Sequence, residues 1–400
     1  MTALSSRRRQ RTWMMFAVTA VVIVLGVVLL VTGTDAIRQY TAAKRADAGL
    51  PVVAVPKTPT AMFATVDGEN RLTSVTMFVL APSLAGGSIV SVPANVDSTQ
   101  GVGDERLTLI GAYAQDGATG LVQAVEATLS LSVDYWAVDD PAKAAGVLQP
   151  VGKVAVDLPR TVVGGDGSSS VLFERGEQSL DASEAVQVLT ATSTTVDEAG
   201  RTPNIEAIWQ GVATSVGAGV AGQSPSSPTV GSFEDVVAHL FAGPVGSRGL
   251  PVSAFAPGTA GVEGNDVALL DRAEQLMVFA SIAPGSMSRP ADGLAVSIVA
   301  PPGSEARVKD AISILLYSGD NIAAVDLTGT PRDRTEVLVY DDAAKPSMES
   351  LRDYFGDFAY GTPTSQPDGV EATIELGADF LNSTEVASTP ETTTTTLVGS

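Results

Sequence analysis

MFATVDGENRLTSVTMFVLAP, residues 62–82, holds two short apolar, β-branched runs (62–66 and 75–80). Gly68 lies between them and Pro82 closes the second, a pattern that predicts two strands. Residues 88–92 form a third such run, ended by Pro93. Residues 117–131 then change period. Leu121, Val125, Thr128 and Leu129 share one face at i, i+4, i+7 and i+8, which predicts a helix. Further strands are expected over 133–138 and 151–158, and helices over 183–190 and 204–216. Strands interleaved with helices predict an α/β layered body.

Beyond this core, residues 222–228 are rich in Gly, Ser and Pro and read as a surface loop. Helices are expected over 233–241 and 266–279. Pro284, Gly285 and Pro290 mark a domain boundary over residues 283–292. A second unit follows: a strand over 294–299, then a helix capped by Ser304 with the face Val308, Ala311, Ile312 and Leu315, stopped by Gly319. Strands over 321–327 and 336–340, a helix over 348–355 and a strand over 371–376 give the order β-α-β-β-α-β. The tail after Leu381 is polar and Thr-rich, a composition expected to be disordered.

At the other end, residues 12–34 carry no charged side chain and follow Arg7, Arg8, Arg9 and Arg11. About 20 apolar residues in a helix cross a bilayer core of about 30 Å. This run exceeds a signal-peptide core of roughly 7 to 15 residues, so it reads as a retained anchor. The Arg cluster favours a cytoplasmic N-terminus, with the bulk of the chain outside the plasma membrane. The 400 residues carry 24 Lys+Arg against 45 Asp+Glu, a formal charge of −21. Nucleic-acid binding needs clustered basic residues and is disfavoured. The absence of cysteine excludes disulfides, thiolate nucleophiles and thiolate metal sites. The single histidine, His239, reads as a surface or cap residue.

Several phrases in this order resemble the LytR-CpsA-Psr family of cell-envelope proteins. Arg71-Leu72-Thr73-Ser74 stands where that family has Arg-Ser-Asp-Thr, and Ser91-Val92-Pro93-Ala94-Asn95 where it has Ser-Ile-Pro-Arg-Asp. Ala112-Tyr113-Ala114 with Gly117 is similar to its Ala-Tyr-Ala-x-Gly-Gly, and Gly176 to Asp181 to its Gly-x-x-x-Leu-Asp. Asp134-Tyr135-Trp136 and residues 154–159 resemble two of its strands, and Gly200-Arg201 its Asp-x-Gly-Arg. The C-terminal unit, closing on Leu376-Gly377-Ala378-Asp379-Phe380, resembles the LytR C-terminal domain of actinobacterial members. The resemblance implies an α-β-α sandwich outside the membrane that moves a glycopolymer from a polyprenyl pyrophosphate to peptidoglycan. Arginines would clamp the pyrophosphate and aspartates would hold Mg²⁺. It divides the chain into a basic arm (1–11), a transmembrane helix (12–34), a linker (35–56), the sandwich (57–283), a second linker (284–293), a small α/β sandwich (294–382) and a tail (383–400).

The departures fall on that machinery. Thr73 replaces the Asp, Ala94-Asn95 replaces Arg-Asp, and residues 189–193 and 202–208 lack the family's further arginines. Arg71, Arg201 and Asp67 are the remaining candidates for an anion site. A neutral side chain is a weak substitute for a carboxylate on Mg²⁺. Asp139-Asp140 ahead of Pro141 reads as a helix cap rather than a metal pair, and Asp341-Asp342 as a turn. Tyr113, Tyr135 and Trp136 read as core or rim packing. The chain therefore reads as a degenerate member: a binding or scaffolding protein of envelope assembly, with no cofactor. Its expected partners are a polyprenyl-linked lipid, a wall glycopolymer or a catalytic relative. The alternatives are an active transferase using Mg²⁺ and an unrelated anchored binding protein. An apolar cavity is expected within residues 57–282, with Arg71 or Arg201 at its mouth.

Overall fold

The computed structural model describes residues 50–99, 106–164, 170–222, 229–255, 259, 266–288 and 293–383. The expected anchor (12–34), most of the 222–228 loop and the tail from 384 lie outside the described residues. Among the described residues no helix is long and apolar enough to cross a membrane. The described chain falls into two units. The minor one holds residues 50–53 and 362–366, where the Gln366 amide donates to the Pro51 carbonyl.

The major unit is mixed α/β. Its first sheet contains β1 (Thr60–Val66), β2 (Leu72–Leu80), β3 (Gly87–Val92), β4 (Tyr135–Asp139) and β5 (Val245–Gly249). Spatially the order is β5-β3-β2-β1-β4, with β2 antiparallel to both neighbours and the outer strands parallel to theirs. Every residue of β1 and β2 is buried. Side chains alternate across a strand, so continuous burial means that both faces are covered. On one face Met62, Met77 and Val90 meet Leu121, Val125 and Leu129 of α1 (Leu109–Leu129) and Leu276 and Phe279 of α6 (Arg272–Ile282). On the other, Phe63 and Phe78 stack with Phe233 and meet the edge of Trp209. That face is roofed by α2 (Pro141–Leu148), α3 (Ala182–Thr190), α4 (Glu198–Val216) and α5 (Phe233–Phe241). Three layers result.

The second sheet contains β6 (Ala295–Val299), β7 (Asn321–Asp326), β8 (Glu336–Val339), β9 (Ala359–Tyr360) and β10 (Ala372–Glu375), in the order β7-β6-β10-β8-β9. Helix α7 (Glu305–Tyr317) buries Val308, Ala311, Ile312 and Leu315, the face its spacing predicts. One apolar cluster runs from Met77 and Phe279 through to Ile298 and Ile312. Lys309 of α7 lies 3.1 Å from Glu274 and 3.6 Å from Asp271 at the N-terminal end of α6.

Several expectations need correction. The helix expected over 117–131 begins at Leu109 and is interrupted at Gly117, whose φ of 62° breaks the helical run. The one expected over 204–216 begins at Glu198, where the Asp197 carboxylate caps it. Residues 268–270 form a strand paired with Val252–Ala254, and the helix starts only after Asp271, which accepts from the Glu274 amide. The helix expected over 348–355 is two short ones, Lys345–Ser350 and Arg352–Phe355, separated at Leu351. Gly176–Leu180 and Val154–Leu158 pair as a two-stranded ribbon. His239 is buried rather than on the surface: its Nδ1 lies 2.6 Å from the Leu84 carbonyl, fastening the turn before β3.

Candidate functional site

The three candidate residues end up in two different environments. Asp67 and Arg71 close the turn between β1 and β2. One Asp67 carboxylate oxygen accepts from the Glu69 and Arg71 amides, and the other from Arg71 Nε at 2.7 Å. Arg71 also meets Glu69 at 3.0 Å, and its side chain is 53% exposed. Burial alone would raise the Asp67 carboxyl, but the hydrogen bonds from Arg71 and Glu69 outweigh it and hold it below the ordinary aspartate value. This is a turn clasp facing water.

Arg201 lies inside. It stands in the first turn of α4, and its Nη1 meets Glu198 Oε2 at 2.5 Å. Nε donates to the Ala191 carbonyl, and Nη2 to those of Thr73 and Leu189. A guanidinium has five N–H donors in a fixed fork, and these bonds engage four of them. Glu198 is almost fully buried, and its second oxygen accepts from the Ala94 amide at 3.4 Å. Burial drives the Glu198 carboxyl upward, with Arg201 opposing it and the nearby Asp266 adding to it. Asp266 in turn accepts from the Glu198 amide at 2.8 Å and from Asn95 Nδ2 at 2.7 Å.

Three of the positions that depart from the resembled pattern, Thr73, Ala94 and Asn95, are buried. Thr73 is fully buried; its hydroxyl donates to the Thr65 carbonyl and lies 2.8 Å from the Thr65 hydroxyl, which also meets Ser74. Ala94 has no exposed surface, and Asn95 donates to Asp266 through its amide nitrogen, leaving its buried Oδ1 as a single oxygen without a hydrogen bond among the described residues. Asp97 is buried too, with Thr99 and Arg106 as partners. These residues do not fit a Mg²⁺ ion, which needs oxygen ligands in an open octahedral set. The Asp67 carboxylate already accepts three hydrogen bonds within its turn, and Thr73 is turned into the sheet. Among the described residues no cluster of three His, Cys, Asp or Glu side chains could hold a metal.

Glu198 and Asp266 are the charged residues that sequence reasoning did not single out. The one signal was the i, i+3 spacing of Glu198 and Arg201, which on a helix brings the two side chains together. Of the aromatic candidates, Tyr113 donates to Asn70 and Tyr135 to the Val230 carbonyl, while Trp136 is half exposed on the edge strand β4. Asp140 caps α2, accepting from the Ala142 and Lys143 amides, and Asp341 caps the turn after β8. The expected cavity has Arg71 or Arg201 at its mouth, and neither residue lines the cavities of about 440, 560, 210 and 440 Å³ found among the described residues. Under α4 and α5 the sheet is filled by Phe63, Phe78, Trp209 and Phe233.

No family model and no curated protein sequence matches the chain. Among solved structures it is similar to TagV of B. subtilis, at 15% identity over 54% of this chain and 91% of that one, with a TM-score of 0.38. It is also similar to TagT bound to LIIa-WTA (17% identity, 56% and 88% covered, TM-score 0.38). A third similar structure is a LytR-Csp2A-Psr enzyme from Actinomyces oris (16% identity, 55% and 91% covered, TM-score 0.36). At these scores the likenesses assign no activity to the chain.

Proposed function

We propose that this chain is an extracytoplasmic envelope protein of the LytR-CpsA-Psr type in which an internal ion pair has replaced the transferase site. Residues 12–34 anchor it in the plasma membrane with its N-terminus in the cytoplasm. The small sandwich that ends the chain is a LytR C-terminal domain. It acts by binding or scaffolding in envelope assembly, on a polyprenyl-linked lipid, a wall glycopolymer or a catalytic relative, and needs no Mg²⁺. The sequence order of the family phrases supports the family. The observation that carries the loss of activity is the engagement of Arg201 by Glu198 and three backbone carbonyls. Phosphoryl transfer needs guanidinium donors and a cation free to follow the charge of the moving group. The two arginines kept from the pattern are closed on protein partners instead.

The test is turnover. Full-length protein in lipid nanodiscs, given a polyprenyl pyrophosphate-linked glycan, peptidoglycan and Mg²⁺, should release no polyprenyl phosphate above a protein-free control. Release that depends on Mg²⁺ and disappears in Arg201→Ala would refute the proposal and establish a transferase. The topology is tested by protease added outside spheroplasts, which should digest the chain beyond residue 35 and leave the first 11 residues protected.

A further inference from the structure

On the edge of the first sheet, helices α2 and α5 both lie against the aromatic core but leave a cleft of about 440 Å³ between them. Its size falls within the roughly 300–1,000 Å³ usual for small-molecule sites. Its walls are apolar: Val147 from α2, Ala137 from β4, and Phe233, Val237 and Phe241 from α5. Two features of this cleft have no structural purpose within the described chain.

The first is Gly146, inside the eight-residue helix α2. A helix-interior glycine costs about 1 kcal/mol relative to alanine. Such a residue is usually explained by close packing, yet a Cβ at 146 would meet nothing within 4 Å. The missing side chain keeps the cleft open. The second is Asp139. Its neighbour Asp140 is used as the cap of α2, whereas the half-buried Asp139 carboxylate makes no hydrogen bond and no ion pair among the described residues. Burial raises the Asp139 carboxyl; Lys143 lowers it, and Asp140 and Glu234 push it further up. A half-buried carboxylate with no hydrogen-bond donor is partly desolvated, and such groups in clefts are candidate binding sites. Glu234 and Lys143 share the cleft wall, so its lining carries two carboxylates against one ammonium.

The geometry points to a binding site between α2 and α5 for a small amphiphile with an apolar body and a protonated amine. The body fills the space between Val147 and Phe241, and the amine donates to Asp139 and Glu234. None of the residues lining the cleft belongs to the Arg201–Glu198 network. The acidic lining disfavours a phosphate or carboxylate head, so the ligand class is opposite in charge to a polyprenyl phosphate. The site does not depend on whether transferase activity is absent.

The experiment is a calorimetric titration of the full-length protein in lipid nanodiscs with phenylbutylamine, phenylbutanol and phenylbutanoate, empty nanodiscs being subtracted. A hydrogen bond to a charged group contributes about 1.5–3 kcal/mol, so the amine should bind at least about tenfold more tightly than the carboxylate. Asp139→Asn should bring the amine level with the alcohol. Gly146→Leu and Ala238→Leu, which fill the cleft from opposite walls, should each abolish binding of all three probes while leaving the melting temperature unchanged or higher. The proposal fails if the amine does not bind, if the carboxylate binds as well as the amine, or if binding survives both filling substitutions.

Discussion

Arg201 and Glu198 lie three residues apart on one helix and close on each other at 2.5 Å, with 12% and 3% of their side chains exposed. The pair ties α4 to β2 through the Thr73 carbonyl and to the end of β3 through the Ala94 amide. A buried pair adds little over a well-packed apolar substitute, but removing one partner leaves an uncompensated charge. The pair thus fixes the geometry where α4 meets β2 and the residues that follow β3.

Arg201→Ala should therefore cost about 3–5 kcal/mol in urea-induced unfolding, because it strands Glu198 and frees three carbonyls. Arg71→Ala, at a side chain that is 53% exposed, should cost under about 1 kcal/mol. Equal costs for the two arginines would contradict the division between an internal strut and a surface clasp.

Introducing the charged residues of the resembled pattern should not create a site. Ala94→Arg would force a guanidinium into a fully buried position, and Thr73→Asp would set a carboxylate against the Thr65 carbonyl. Each should destabilise by several kcal/mol. Thr73→Val, which loses the hydroxyl bonds without adding charge, should cost less than Thr73→Asp. The comparison requires only the three melting curves, and the reverse ranking would show that the buried positions tolerate charge.

The layers were legible in the sequence wherever burial was strong. The runs at 62–66 and 75–80 are strands, helix α5 has its predicted bounds, and the face of α7 is the one its spacing gives. Strand β5 was not legible because Gly246, Ser247, Arg248 and Gly249 form no apolar run; it is held by parallel pairing with β3. Gly176–Leu180 is polar and only partly buried, so it too lacks a strand signature. Ala268–Leu270 runs straight into helix α6 in hydrophobicity, and only the Asp271 cap separates them. At the site, the uncharged residues at 73, 94 and 95 were visible in the sequence. The burial of Glu198 among them was not, because its partners at Ala94 and Asp266 are 104 and 68 positions away.

The core shared by the two sheets predicts cooperative unfolding. Phe279 and Leu276 of α6 join the cluster that includes Ile298 and Ile312, and Lys309 bridges to Glu274 and Asp271. Hydrogen bonding to Glu274 is the main cause that holds the Lys309 ammonium above its ordinary value. Scanning calorimetry should show one transition, with calorimetric and van't Hoff enthalpies in agreement. Two resolved transitions would mean that the sandwiches unfold independently.

The pH dependence of stability should be led by carboxyls that burial pushes upward. Glu206 of α4 is the simplest of them: half-buried, raised by burial alone, and lying so close over β5 that a Cβ at Gly249 would fall 1.9 Å from its carboxylate. A carboxyl with a raised folded-state value binds its proton more tightly folded than unfolded. It contributes stability below the ordinary glutamate value of 4.5, and that contribution is lost as pH rises through the folded-state value. Glu198, Asp139 and Asp320 act in the same direction, whereas the lowered Asp67 contributes stability above its ordinary value of 3.8 that is lost on acidification. Glu206→Gln keeps the shape of the side chain and removes the charge. It should match the wild type at pH 4 and exceed it in urea midpoint at pH 7 to 8, where the wild type must hold a desolvated carboxylate beside β5. A variant less stable than the wild type at pH 8 would show that the ionised Glu206 has a favourable partner, and that the fall in stability with rising pH arises elsewhere.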